Sequence, residues 1–200
     1  LARLGDLHFE VIWPTDARFA NLIGECAAMK RIWLRETGRA STGFSYSEFE
    51  KFLANLAGDA QSLSGACLSV LRAGDRTVAM ELGFTRSGHY YSYIGSFDWS
   101  LREFSPGKVQ MEMTVCWLID NGVKTYDLLG GGCDYKQSWA NQSVTLEGYS
   151  LPFSWKGRFY AEAWLPVIRP FAKRMFQSMP FGMRRLVAAV QSFGLVAVGI

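Results

Sequence analysis

"SPGKVQMEMTVCWLIDNGVKTYDLLGGGCDYKQSW", residues 105–139, is the stretch whose reading decides the fold. Ser105 can serve as an N-cap, and Pro106 can stand first in a helix, where its missing N–H costs nothing. Val109, Met113, Cys116 and Trp117 make one apolar face, widened by Val115, Leu118 and Ile119. Their spacing predicts a helix to about Asn121, stopped by Gly122. "KTYDLLG" (124–130) follows a minimal turn and reads as a strand, and "DYKQSWA" after the glycines as a short helical turn.

Working outward, "ACLSVLRA" (66–73), "TVAMELGFT" (77–85) and "HYYSYIGSF" (89–97) are strand-like runs separated by the turn chemistry of "AGDR" and "RSG". They predict an antiparallel meander. The strand at 89–97, the helix and the strand at 124–130 then form a crossover that sets the last strand beside that sheet. Further upstream, "LHFEVIW" (7–13) predicts a short strand closed by Pro14. A helix over about 16–36 follows, capped by Thr15 or Asp16 and ended by Gly38; it carries Phe19, Leu22, Ile23, Cys26, Met29 and Trp33 on one face. A second helix starts near "SYSEFEKFLANLA", with Ser47 and Glu50 spaced as a capping box. Downstream, "SVTLEGYSL" (143–151) reads as another strand, and the chain from Gly157 as helical, broken near Pro180. The composite is α+β: a mixed, mostly antiparallel sheet flanked by helices, with a helical C-terminal tail.

The 200 residues suffice for one domain with a substantial core, and 49% hydrophobic with 20% charged content is globular rather than disordered. A chain that opens on Leu1 reads as a fragment or a processed product. Four cysteines without a C-x-x-C pair, and only His8 and His89 beside them, offer little to a metal site, so none is expected. Cys26, Cys67 and Cys116 lie in apolar runs and read as buried thiols, which suits a reducing cytoplasm. From Leu151 onward seven Lys/Arg face the single acid Glu162, so this segment carries +6 and the remainder −3. Such a basic, apolar-rich tail can pack on its own domain or lie on an anionic membrane surface, here the inner face. No aromatic-basic module for nucleic acid is recognisable. The closing run "LVAAVQSFGLVAVGI" is too short and too interrupted to span a bilayer.

A helix beginning Ser-Pro-Gly-Lys leaves first-turn N–H groups and a positive dipole end for an anion, which is the physics of a phosphate cradle. Neither a Walker loop nor a G-x-G-x-x-G fingerprint accompanies it. The ordered set "YYSYIGSFD", "SPGK", "GVKTYDLLGG" and "DYKQSW", with "MKRIWLRETG" upstream, resembles the GNAT acyltransferase superfamily over roughly residues 15–150. Within it the chain looks like the branch grouped with bacterial cellulose-biosynthesis acetyltransferases and, more remotely, Fem-type aminoacyltransferases. The common Gln/Arg-x-x-Gly-x-Gly/Ala signature is replaced here by Ser-Pro-Gly.

That resemblance implies a GNAT-like domain over 1–150, the second half of a longer two-lobed protein, followed by a basic extension over 151–200. It implies splayed central strands that hold an acyl-coenzyme A, acetyl-CoA in the simplest case, as the small-molecule donor. Ser105, Gly107 and Lys108 would hold the pyrophosphate, and Tyr91 and Tyr93 would line the pantetheine. The acceptor would be an amine or hydroxyl, such as one on a cell-envelope saccharide. Its attack needs a proton acceptor, and Asp127 and Asp98 are the candidate carboxylates. Asp127 could instead hold the glycine loop or pair with Lys136. Lys136 could bind an anionic substrate group or be a surface lysine on a short turn. Cys133 has no histidine near it in sequence, so a Cys/His nucleophile is set aside. Two rivals remain: an aminoacyl-tRNA-dependent Fem-like transferase, and a non-catalytic module that binds a partner or membrane.

Overall fold

The computed structural model describes residues 4–39, 41, 43–130 and 134–192. Its elements follow the order β1 (Leu7–Ile12), α1 (Phe19–Glu36), α2 (Ser47–Ala54), β2 (Gly58–Asp59), β3 (Ser64–Ala73), β4 (Arg76–Arg86) and β5 (His89–Phe97). Then come α3 (Pro106–Asp120), β6 (Thr125–Asp127), α4 (Asp134–Trp139), α5 (Trp155–Phe159), α6 (Arg169–Ser178) and α7 (Phe181–Ser192). A π-helical stretch, Tyr160–Ile168, carries Pro166 and joins α5 to α6. A 3₁₀ turn at Trp99–Phe104 links β5 to α3.

The strands form one sheet in the order β1-β3-β4-β5-β6, with β2 pairing the start of β3. All pairs are antiparallel except β5 and β6, which run parallel, as a crossover through α3 requires. The meander and the crossover therefore have the arrangement expected of them.

The two faces of the sheet are built differently. On one, Phe19, Leu22, Ile23 and Cys26 of α1 pack against Ala66, Leu68, Val70, Met80, Leu82 and Ile94 in an apolar cluster. On the other, α3 buries Pro106, Gln110, Met111, Thr114 and Leu118. Gln110 Nε2 donates to Ser69 Oγ at 2.7 Å, and Ser69 and Thr114 hydroxyls lie 3.0 Å apart. These buried partners fix the rotation of α3. Its apolar and polar residues are mixed around the helix with no dominant stripe, so the apolar pattern alone could not fix it. Of the expected face, Val109, Met113 and Trp117 pack half-buried against the core, but Cys116 is exposed rather than buried.

Other local expectations are also corrected. Asp16 Oδ1 accepts the Arg18 N–H, but α1 begins only at Phe19. Ser47 is inside α2 rather than its cap, and Glu50 pairs instead with Arg31 at 2.7 Å. The strand expected over 124–130 is confined to Thr125–Asp127. Residues 143–151 form no strand and are exposed throughout, Val144 and Tyr149 by 84% and 86%. With no partner edge beside it among the described residues, the alternating pattern there stays unpaired. Among the described residues no helix is long and apolar enough to cross a membrane.

Candidate active site

Strand β5 is closed at one end and open at the other. His89, Tyr90 and Tyr91 pair with Thr125, Tyr126 and Asp127, and pairing with β6 ends there. Six more residues, Ser92 to Phe97, continue along β4 alone. The register with β4 shifts between Leu82 and Gly83, so Tyr93 is an extra residue without a partner. Such a bulge bends its strand and increases its twist. It sits where β5 parts from β6, and it gives the separation a local cause.

A buried carboxylate locks the closed end. Glu81, 6% exposed on β4, accepts from Tyr90 at 2.9 Å, from Tyr126 at 2.8 and 2.9 Å, and from Ser92 at 2.9 Å. The two tyrosine rings, from β5 and β6, stack with centroids 5.2 Å apart. Burial pushes the Glu81 carboxyl above its usual range, against the lowering effect of the hydroxyls. Gly83 is needed here: a Cβ at that position would lie 2.2 Å from the Tyr90 ring and hydroxyl.

At the open end the backbone faces outward. The Asp98 N–H bonds the Val78 carbonyl, so alternation along the ladder turns the N–H and C=O of Gly95 and Phe97 away from β4. Lys30 of α1 takes up the Gly95 carbonyl at 2.9 Å. Beyond Phe97 the 3₁₀ turn leads directly to the start of α3. A groove of roughly 560 Å³ lies between that turn and α1, with Met29, Ile32, Phe97 and Trp99 as its apolar walls and Arg35 and Arg102 as its cations.

The expected site residues fall around this edge as follows. Tyr91 is half-buried and stacks on His89, while Tyr93 is 45% exposed and meets Phe84 edge-on. Ser105 adopts a left-handed conformation, φ 49°, and makes no side-chain cap. Its N–H goes to the Arg102 carbonyl, and the Lys108 N–H goes to the Ser105 carbonyl. Pro106 has no N–H, so of residues 105–108 the amide that can be offered outward is Gly107's. Space there is open: a Cβ on Gly107 would meet only Phe97, at 3.5 Å. The Lys108 side chain is exposed.

The carboxylates are engaged. Asp98 caps the 3₁₀ turn through the Ser100 N–H at 3.0 Å and binds Arg76 Nε at 2.9 Å. Partial burial pushes its carboxyl up, but Ser100 and Arg76 together hold it below the usual range. Asp127 is exposed at the end of β6, and its Oδ1 accepts the Leu129 N–H at 2.7 Å. Lys136 does not pair with it. Its ammonium donates to the carbonyls of Leu128, Leu129 and Gly130 at 2.6, 3.3 and 3.1 Å. Cys133 lies outside the described residues. Glu81, Gly83 and Lys30 are the contributors that sequence reasoning passed over. The signal for Glu81 was a lone carboxylate at an inward position of an apolar strand.

Residues 1–137 match the model of the "Acetyltransferase (GNAT) domain" family. A crystal structure of an aminoglycoside acetyltransferase from an uncultured soil metagenomic sample, in complex with sisomicin, is similar at 14% identity and a TM-score of 0.47. That likeness covers 72% of this chain and 96% of the other. An integron cassette protein from the mobile metagenome of V. cholerae is similar at 13% identity, covering 76% and 94%, also with a TM-score of 0.47. No curated protein matches the chain. With more than half of its length matched by the family model, the chain belongs to the GNAT acetyltransferase domain family and is a GNAT-type acyltransferase.

Proposed function

We propose that this domain moves an acetyl or related acyl group from an acyl-coenzyme A to an amine or hydroxyl. The observation that carries the reading is the forked strand pair: β5 keeps β6 for three residues and then presents an open backbone edge that ends at the start of α3. An extended pantetheine arm needs such an edge, and a diphosphate fits a helix start that offers a glycine amide beside a lysine. Tyr91 and Tyr93 flank the arm in this reading, while Gly107 and Lys108 take the diphosphate and Ser105 shapes the turn that presents it. Asp127, with one oxygen tied to Leu129, keeps the other for the acceptor and is the candidate base. Asp98 is a positioning residue that fixes the turn leading into α3, and Lys136 holds the loop next to Asp127.

The chemistry needs no covalent enzyme intermediate. The acceptor's nitrogen or oxygen attacks the thioester carbonyl as it gives its proton to the base. The C–S bond then breaks, and coenzyme A leaves as a thiolate that is protonated. The ordered motifs favour an envelope saccharide as acceptor, as in the cellulose-biosynthesis branch. The exposed Trp155, Phe159 and Phe171 among the basic residues of the C-terminal helices favour work at the cytoplasmic face of a membrane.

Acetyl-CoA should raise the melting temperature, because a ligand that binds only the folded state stabilises it. Gly107→Trp should abolish the shift while leaving the unliganded melting temperature close to wild type. Release of free thiol from acetyl-CoA should then appear with the right acceptor. A shift that survives Gly107→Trp argues against the cradle. A shift with aminoacyl-tRNA and none with acetyl-CoA would support the Fem-like alternative.

A further inference from the structure

The segment "MKRIWLRETG" on α1 gathers three cations with Arg39 just beyond it, and two of the four have no acidic partner among the described residues. Lys30 Nζ lies 4.2 Å from the centroid of the Trp33 ring, and the Arg39 guanidinium carbon 4.9 Å from it. Arg39 is brought back over the indole by the way α1 ends. Gly38 takes φ 61°, and the Arg39 N–H closes onto the Leu34 carbonyl at 2.9 Å. The other cations of this helix have acids: Arg31 pairs with Glu50 and Arg35 with Glu36. Lys30 and Arg39 have no carboxylate within ion-pair distance among the described residues.

Two cations on one indole repel each other, and a partly buried ammonium without a counter-ion is costly. Burial lowers the Lys30 pKa, and the charge of Arg39 lowers it further. The arrangement also has a direction. Lys30 is bonded to the Gly95 carbonyl, which faces the open edge of β5. The groove beside that edge is lined by the neighbouring Met29, Ile32, Arg35 and Glu36, with Asp98 and Arg102 also in its wall; Lys30, Trp33 and Arg39 lie next to it rather than in it. An anion held by Lys30 and Arg39 themselves would relieve both charges at once.

We propose that Lys30 and Arg39, both held over the Trp33 ring, form a subsite for a carboxylate carried by one of the two substrates, next to the open half of β5. The inference rests on the acyl-coenzyme A reading, and it makes the domain selective for carboxylated substrates. The carboxylate has two sources, the acyl chain of the donor or the acceptor, and two arms of one experiment distinguish them.

In the first arm, dissociation constants of succinyl-CoA and butyryl-CoA are compared, two donors of equal chain length that differ in the terminal carboxylate. In the second, succinate and succinamide are titrated with and without coenzyme A, following Trp fluorescence. A preference of about tenfold for the carboxylate in either arm is expected. It should be lost in Lys30→Met and in Arg39→Gln, and Lys30→Arg should restore a good part of it. A preference in the first arm assigns the carboxylate to the donor; one in the second arm alone assigns it to the acceptor. Equal affinities in both arms, or a preference that survives both substitutions, would overturn the subsite. Failure of all three thioester and coenzyme A ligands to bind, with succinate still preferred through Lys30, would sink the acyl-coenzyme A reading and leave the anion site standing.

Discussion

The two halves of β5 share a strand and differ in almost everything else. His89–Tyr91 has a strand on each side, and Tyr90 is 1% exposed beneath the Glu81 cluster. Among the described residues Ser92–Phe97 has β4 on one side only, Gly95 is exposed, and a lysine from α1 satisfies one outward carbonyl. A sheet edge left unpaired inside a domain is a liability unless something is meant to lie there. The bulge at Tyr93 opens the edge, and the carboxylate at Glu81 keeps the opening from running further back. Closure at one end is thus what makes the other end usable.

Glycine substitutions should separate the halves most sharply. Gly83→Ala forces a methyl into the Tyr90 ring and should cost ~3 kcal/mol in urea unfolding. Gly95→Ala meets nothing within 4 Å and should leave stability within about 0.5 kcal/mol of wild type. Equal effects at the two positions would erase the distinction.

Tyr126→Phe removes the hydroxyl that ties β6 to Glu81 and should cost about 1–2 kcal/mol. The carboxyl itself should show in pH dependence. Its folded pKa is raised above the ordinary value of 4.5, so the folded state holds the proton longer. Its stabilising contribution is complete below that value and is lost as pH rises through the folded pKa. Glu81→Gln should therefore flatten the stability profile on the rising side of pH 4.5, seen as a smaller loss from acid to neutral pH. A steeper loss in the variant would reverse the sign and refute the assignment.

The smallest effect is expected away from the fork. Cys116→Ser should change stability by less than about 0.5 kcal/mol, because the side chain is exposed. In the native protein Cys116 should react with a thiol reagent while Cys26 and Cys67 stay protected.

Strand and helix positions were legible where local chemistry was unambiguous. The turns "AGDR" and "RSG" fixed the meander, and Pro106 and Gly122 bracketed α3 within a residue or so. The rotation of α3 was legible only in part: Val109, Met113 and Trp117 pack on the core, but the burial of Gln110 depends on a hydrogen bond to Ser69, 41 positions before it. The short reach of β6 was not legible, because it depends on a bulge in its neighbour. Asp98 and Asp127 were found as carboxylates near the edge; Asp127 closes locally on the N–H two residues on, but Arg76, 22 positions from Asp98, could only be seen in three dimensions. Glu81 was passed over because a charged residue in an apolar strand reads as an exception until its three hydroxyl donors, on two other strands, are brought to it.

Backbone amide exchange with and without saturating acetyl-CoA tests the open edge most directly. Protection should rise at Gly95, Phe97 and Gly107, whose amides face the fork, and stay unchanged at His89–Tyr91. Unaltered exchange at 92–97 and 107, or a gain confined to the closed half, would contradict the account.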